Sequence, residues 1–112
     1  MTFNELVYGR EEAETNLLQL LCDANANANT RGRLLQILAS YRWSAPDNSV
    51  LFECIRDLFM HDPKQILTHL PAALTRRGFP DISCGALAEP PRVNAAAAFA
   101  LAEELLRASH TE

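Results

Sequence analysis

Residues 43–60, W-S-A-P-D-N-S-V-L-F-E-C-I-R-D-L-F-M, constrain this chain more than any other stretch, because they combine an aromatic, a turn, a helix start and the densest apolar stripe in the sequence. Pro46 disfavours helix at Ala45, and Ser44 or Asp47 can offer a side-chain oxygen to the free N–H groups of a first turn. A helix is therefore expected to begin near Asp47. Leu51, Ile55, Leu58 and Phe59 recur at a spacing of three to four, with Phe52 and Cys54 widening the stripe and Glu53, Arg56 and Asp57 mostly opposite. That pattern is a core helix with one wet side. Burying one such apolar side chain contributes roughly 1.5–3 kcal/mol, so Phe52→Ala is expected to cost more than any surface change.

The neighbouring segments supply partners for that stripe. Leu17 and Leu21 share a face with Ala13, Leu20 and Ala24 over residues 10–24, and Glu11, Glu12 and Glu14 sit in the first turn, where the helix dipole favours acids. The tract A-N-A-N-A-N-T reads as a loop, because asparagine bonds to its own backbone in competition with helix. Thr30 is the expected cap of a second helix whose face is Leu34, Ile37, Leu38 and Tyr41. Arg31 and Arg33 stand near its start, where the dipole gives their charge nothing, so they are read as tolerated surface charges.

Asp62-Pro63 predicts the start of a fourth helix, with Ile66, Leu67, Leu70 and Leu74 on one face and Pro71 kinking or splitting it. Gly78 closes that helix, and Phe79 should fold back onto Leu74. The loop 79–91 has three prolines and a glycine, with Ile82 and Leu87 pinning it to the core and G-A-L-A-E long enough for one turn. A final helix runs from Arg92 or Asn94 to Ser109, with Phe99, Ala102, Leu105 and Leu106 on its large face. Its alanines allow close approach of an intramolecular helix or of a second copy of the chain.

These elements amount to an all-α fold: one domain over 1–112, a bundle of five to six helices with residues 1–9 as an N-terminal arm and 92–109 as the closing helix. The chain is long enough to bury its own core, and its 48% apolar content with only four glycines argues against disorder and against a β-sandwich. The expected core is Leu17, Leu21, Leu34, Leu38, Trp43, Leu51, Phe52, Ile55, Leu58, Phe59, Leu70 and Leu74.

Residue chemistry by itself assigns no activity. His61, His69 and His110 have no histidine or cysteine three or four residues away, so no metal is expected. Phosphate-loop, dinucleotide and nucleophile-elbow motifs are absent, and no cofactor is expected. Glu103 and Glu104, with Arg107 one turn on, read as a solvated face rather than paired catalytic acids. Cys22, Cys54 and Cys84 are odd in number and far apart, which fits reduced thiols in a cytoplasmic protein; M-T-F-N-E-L opens no export signal and no window reaches the length of a membrane span. The net charge of −4 weakens non-specific binding to nucleic acid.

In order along the chain, E-A-E-T-N-L-L-Q-L-L-C-D, Y-R-W-S-A-P-D-N-S-V-L-F-E-C-I-R-D-L-F, I-L-T-H-L-P-A-A-L-T-R-R-G-F-P-D-I-S-C-G-A-L-A-E and the alanine-rich last helix resemble the N-terminal domain of DnaB-type bacterial replicative helicases. The related helicase-binding domain of bacterial primases has a similar pattern. Ala13, Leu17, Trp43, Asn48, Leu51, Phe52, Ile55, Leu74, Gly78, Gly85 and Leu87 fall on comparable steps over residues 11–107. The second glycine and the tyrosine usual in the family's loop are replaced around Ala86 and Ala88.

The resemblance implies an all-helical, non-catalytic module for subunit pairing and helicase–primase contact. The leading expectation is a protein–protein interaction domain, not an enzyme, whose partner is a replication protein or a second copy, with Arg76, Arg77, Phe99, Ala102 and Leu106 as interaction residues. Two alternatives remain open. One is a nucleic-acid-associated regulator using Arg31, Arg33, Arg42, Arg76 and Arg77, although a recognition helix would need more exposed polar residues than the second helix has. The other is a thiol-dependent enzyme or redox sensor, which requires an accessible Cys84 of low pKa.

Overall fold

A computed structural model describes the backbone of residues 3–62 and 64–111 and the side chains of 9–62 and 64–109. Among the described residues the fold is entirely helical: α1 (Phe3–Cys22), α2 (Ala28–Leu38), α3 (Pro46–His61), α4 (Ile66–Arg76), a single 3-10 turn (Gly85–Ala88) and α5 (Ala95–Thr111). The radius of gyration, 13.2 Å, is that of one compact body of this length. No described helix is long and apolar enough to cross a membrane.

Helix α1 starts earlier than its periodicity suggests, running back through the expected arm with a non-helical Gly9 (φ −111°, ψ 16°) as the break. Packing by the arm's apolar side chains Phe3, Leu6, Val7 and Tyr8 lies outside the described residues. Glu14 is no solvated first-turn acid. Its side chain is fully buried, accepting hydrogen bonds from the Tyr41 hydroxyl, the Ser44 N–H (2.8 Å), the Asn48 Nδ2 (3.0 Å) and, at 3.5 Å, the Ala45 N–H. The expected caps of α3, Ser44 and Asp47, are not used: Ala45 is the N-cap residue, Pro46 follows, and no local side chain caps the helix. Glu14, from a different helix, instead holds the N–H groups of Ser44 and Ala45 at the entry to α3 and places an anion near the positive end of its dipole.

Helix α2 begins inside the asparagine tract, not after Thr30, because the Asn27 Oδ1 accepts from Asn29 N–H (2.7 Å) and Thr30 N–H (3.4 Å). Asp62 ends α3 instead of starting α4. Its N–H donates to the Leu58 carbonyl (2.8 Å) and its Oδ1 accepts from Lys64 N–H (3.2 Å), so α4 waits until Ile66; Pro63 lies outside the described residues. Pro71 does not split α4. It is exposed, on a side where water can serve the carbonyl that its ring leaves without a donor.

The end of α4 follows the expected pattern. Gly78 adopts φ +88°, with Gly78 N–H on the Thr75 carbonyl (3.0 Å) and Phe79 N–H on the Leu74 carbonyl (2.9 Å). The Phe79 backbone folds back, while its side chain stays 44% exposed. Leu87 is buried and Ile82 half-buried, and Gln19 Nε2 donates to the Ala86 carbonyl (2.8 Å), which ties the loop to α1.

Helix α1 is the hub: α2, α3, the 3-10 turn and α5 all pack on it, while α4 packs on α3 and α5 also packs on α2. Leu17, Leu21, Leu34, Leu38, Leu51, Phe52, Ile55, Leu70 and Leu74 are buried, and Trp43, Leu58 and Phe59 are half-buried against them. Trp43 fills the α1–α3 corner with its ring 5.0 Å from both Tyr41 and Phe52. In α5 the fully buried residues are Ala98, Ala102 and Leu105. The close approach that alanine permits is thus used inside the chain, and Ala102 belongs to the core, not to an interaction surface.

A groove between the second and third helices as candidate functional site

Helices α2 and α3 both lean on α1, but α2 turns toward α5 and α3 toward α4. The divergence leaves a groove of about 900 Å³ between them. Leu35, only 7% exposed, and the half-buried Gly32 and Phe59 form its floor. Arg33 and Gln36 from α2 and Arg56 and Met60 from α3 form its exposed rim. The two helices approach each other where Phe59 lies beside Gly32, whose missing Cβ would stand 3.9 Å from the ring edge.

Arg31 anchors this corner. It is 2% exposed, correcting the expectation of a surface charge, and its Nη1 donates to the Leu21 carbonyl at 3.4 Å, next to the C-terminus of α1. Its guanidinium lies 5.3 Å from the Phe59 ring centroid. Helix α1 has no basic residue in its own last turn, so the charge that suits the negative end of its dipole comes from α2. Burial lowers the Arg31 pKa, with Asp23 opposing that shift.

Two guanidiniums flank the groove, both over aromatic rings. Arg33 sits 4.9 Å from the Phe99 centroid and Arg56 5.8 Å from that of Phe52. Among the described residues neither pairs with a carboxylate, and the acids of α3 face elsewhere: Glu53 and Asp57 both bond Arg77 of the α4 cap. Of the expected interaction residues, Arg77 is engaged with those acids and Arg76 is exposed. Phe99 and Leu106 are half-buried, with Phe99 under Arg33. Arg42 is exposed, apart from the groove-lining residues. The arginine set considered for nucleic acid is thus dispersed, with Arg31 inside the protein and Arg77 in an ion-pair network.

Burial disfavours the thiolate at all three cysteines. It raises the pKa of Cys54 and Cys84 and pushes Cys22 up to about 12, whereas a reactive cysteine needs its thiolate favoured. No cluster of three or more metal-ligating side chains occurs among the described residues. Glu103 and Arg107 are exposed and Glu104 is half-buried on α5.

Sequence periodicity did not reveal Leu35 or Gly32 as site residues, since the groove exists only through the divergence of two helices. The one local signal was a glycine inside a helical pattern, which costs stability unless something uses its missing side chain. Comparison with protein-family models, curated proteins and solved structures finds no match for this chain.

Proposed function

We propose that this chain is a non-catalytic protein-binding module of the helicase N-terminal-like kind, with a replication protein as partner. The observation that carries the reading is the groove between α2 and α3, apolar at the bottom, arginine-bearing at both edges and ending in Met60, which is 77% exposed. A large flexible thioether held in water is a cost that contact with a partner removes, and methionine adapts its shape to what it meets. The resemblance at Ala13, Leu17, Trp43, Asn48, Phe52 and Gly78 supplies the second strand of support, pointing to helicase or primase.

The test is calorimetry of the purified chain against the replicative helicase and the primase of its own host. Binding in the micromolar range to one of them is expected, about −8 kcal/mol. Absence of heat with both at about 100 µM, where even weak association registers, removes the assignment to replication.

A further inference from the structure

We propose that the groove between α2 and α3 receives one amphipathic helix of another protein, its apolar stripe seated on Gly32, Leu35 and Phe59 and its acidic flanks paired with Arg33 and Arg56. The inference rests on the protein-binding reading above and names the site and the chemistry of the partner.

Three observations converge on that occupant. The channel is bounded by two helices and floored by apolar atoms, which is the shape that accepts the apolar side of a third helix. The charge of its rim is opposite to that of the whole chain: Arg33 and Arg56 stand on facing walls without carboxylate partners among the described residues, in a protein of net charge −4. Acidic flanks on the incoming helix complete those charges, while another basic segment is repelled. The third observation is Gly32. It lies within α2, where glycine disfavours helix by about 0.8–1 kcal/mol relative to alanine. Among the described residues nothing requires it, because an added Cβ meets only the Phe59 ring edge at 3.9 Å, an ordinary contact. A glycine on the floor of an open channel is explained by close approach of a partner's backbone.

The same features disfavour a nucleic acid as occupant. A single strand stacks its bases on exposed aromatic faces along a continuous basic track. Here both guanidiniums lie on the nearby rings, Arg33 on Phe99 and Arg56 on Phe52, and among the described residues the one ring lining the channel, Phe59, is half-buried beside Gly32.

The test uses a fluorescein-labelled synthetic helix of about 18 residues, five turns, with leucines along one face and glutamates along both edges, and a twin with lysine in place of every glutamate. Fluorescence anisotropy with the full chain at ~50 mM salt should show the acidic helix binding at least about tenfold tighter than the twin, with the margin shrinking at ~500 mM. Gly32→Leu fills the floor with a better helix former, so it should keep or raise the melting temperature while weakening the acidic helix by about tenfold or more. The double variant Arg33→Glu/Arg56→Glu should reverse the preference and bind the lysine twin, an outcome that simple damage to the fold does not produce.

Equal binding of the two helices overturns the proposal, as does a Gly32→Leu variant that binds like the unaltered chain. Tighter binding of a single-stranded DNA of about 20 nucleotides assigns the arginines to nucleic acid instead. A dimer in light scattering at ~100 µM that Gly32→Leu abolishes assigns the groove to a second copy of the chain. Failure of this proposal is separable from failure of the replication assignment. Helicase or primase binding that survives Gly32→Leu removes the groove alone, and acidic-helix binding without helicase or primase binding removes only the assignment to replication.

Discussion

Glu14 is the residue on which the described polar interior turns. It is a fully buried carboxylate serving a hydroxyl, an amide side chain and the backbone N–H groups at the entry to α3. Removing it leaves the buried Tyr41 hydroxyl and Asn48 amide without that acceptor, while the part-buried Ser44 and Ala45 N–H groups can turn to water, and the cost of such losses is the desolvation of each group left behind. Glu14→Ala is therefore expected to lower unfolding stability by about 2–4 kcal/mol, from two buried donors at about 1–3 kcal/mol each, read as a shift of the urea midpoint, with Glu14→Gln intermediate. Nothing in the local sequence distinguishes Glu14 from Glu11 and Glu12, both exposed. Its role depends on a turn about thirty residues away, and periodicity within one helix carries no information about that. Arg31 was opaque for the same reason: its position at the start of α2 looks unfavourable until the end of α1 is seen beside it.

At the scale of the element, two glycines act in opposite senses. Gly78 closes α4 at φ +88°, a conformation that a Cβ strains, so Gly78→Ala should destabilise by about 1 kcal/mol. Gly32 has helical surroundings and room for a Cβ in ordinary contact with the Phe59 ring, so Gly32→Ala should stabilise by about 0.5–1 kcal/mol. Thermal melts of the two single variants, moving in opposite directions, check both statements. Gly78 was legible in the sequence because Arg-Arg-Gly-Phe after an apolar stripe is a local closing signal. The starts of α2, α3 and α4 were less legible. Asn27 competed with Thr30 for one cap, Asp62 spent its backbone N–H on closing the preceding helix and its side chain on the Lys64 N–H, and the carboxylate at the entry to α3 is not local at all.

For the whole molecule, burial of weak acids sets an alkaline limit. The Cys22 thiol is pushed up from 9.0 to about 12, chiefly by desolvation, and the Tyr41 hydroxyl is raised by burial and by its bond to Glu14. Each of these groups holds its proton more tightly folded than unfolded. Its contribution is complete below the unfolded value and is lost as pH rises toward the folded one. For Cys22 the loss runs from about pH 9 to pH 12, at about 1.4 kcal/mol per unit. Urea midpoints should stay level from about pH 7 to 8.5 and then fall, and Cys22→Ala should make that fall shallower. The all-α architecture and most of the core were readable from spacing alone, since Leu17, Leu21, Leu34, Phe52, Ile55 and Leu70 each declare a face within their own helix. The angle between α2 and α3, and with it the groove, was not readable: it is set by which neighbour each helix prefers, a choice made by the assembled core.

The loan of a carboxylate from α1 to α3 carries an implication for how the chain can be cut. A fragment that begins at residue 24 retains every residue of α3 and yet loses the acceptor shared by the Ser44 and Ala45 N–H groups at its entry. Supplying residues 1–23 as a separate peptide should restore helical signal to that fragment through the packing face of α1 together with its carboxylate, and the carboxylate's share is the margin by which a peptide carrying glutamine at position 14 rescues less than the native one.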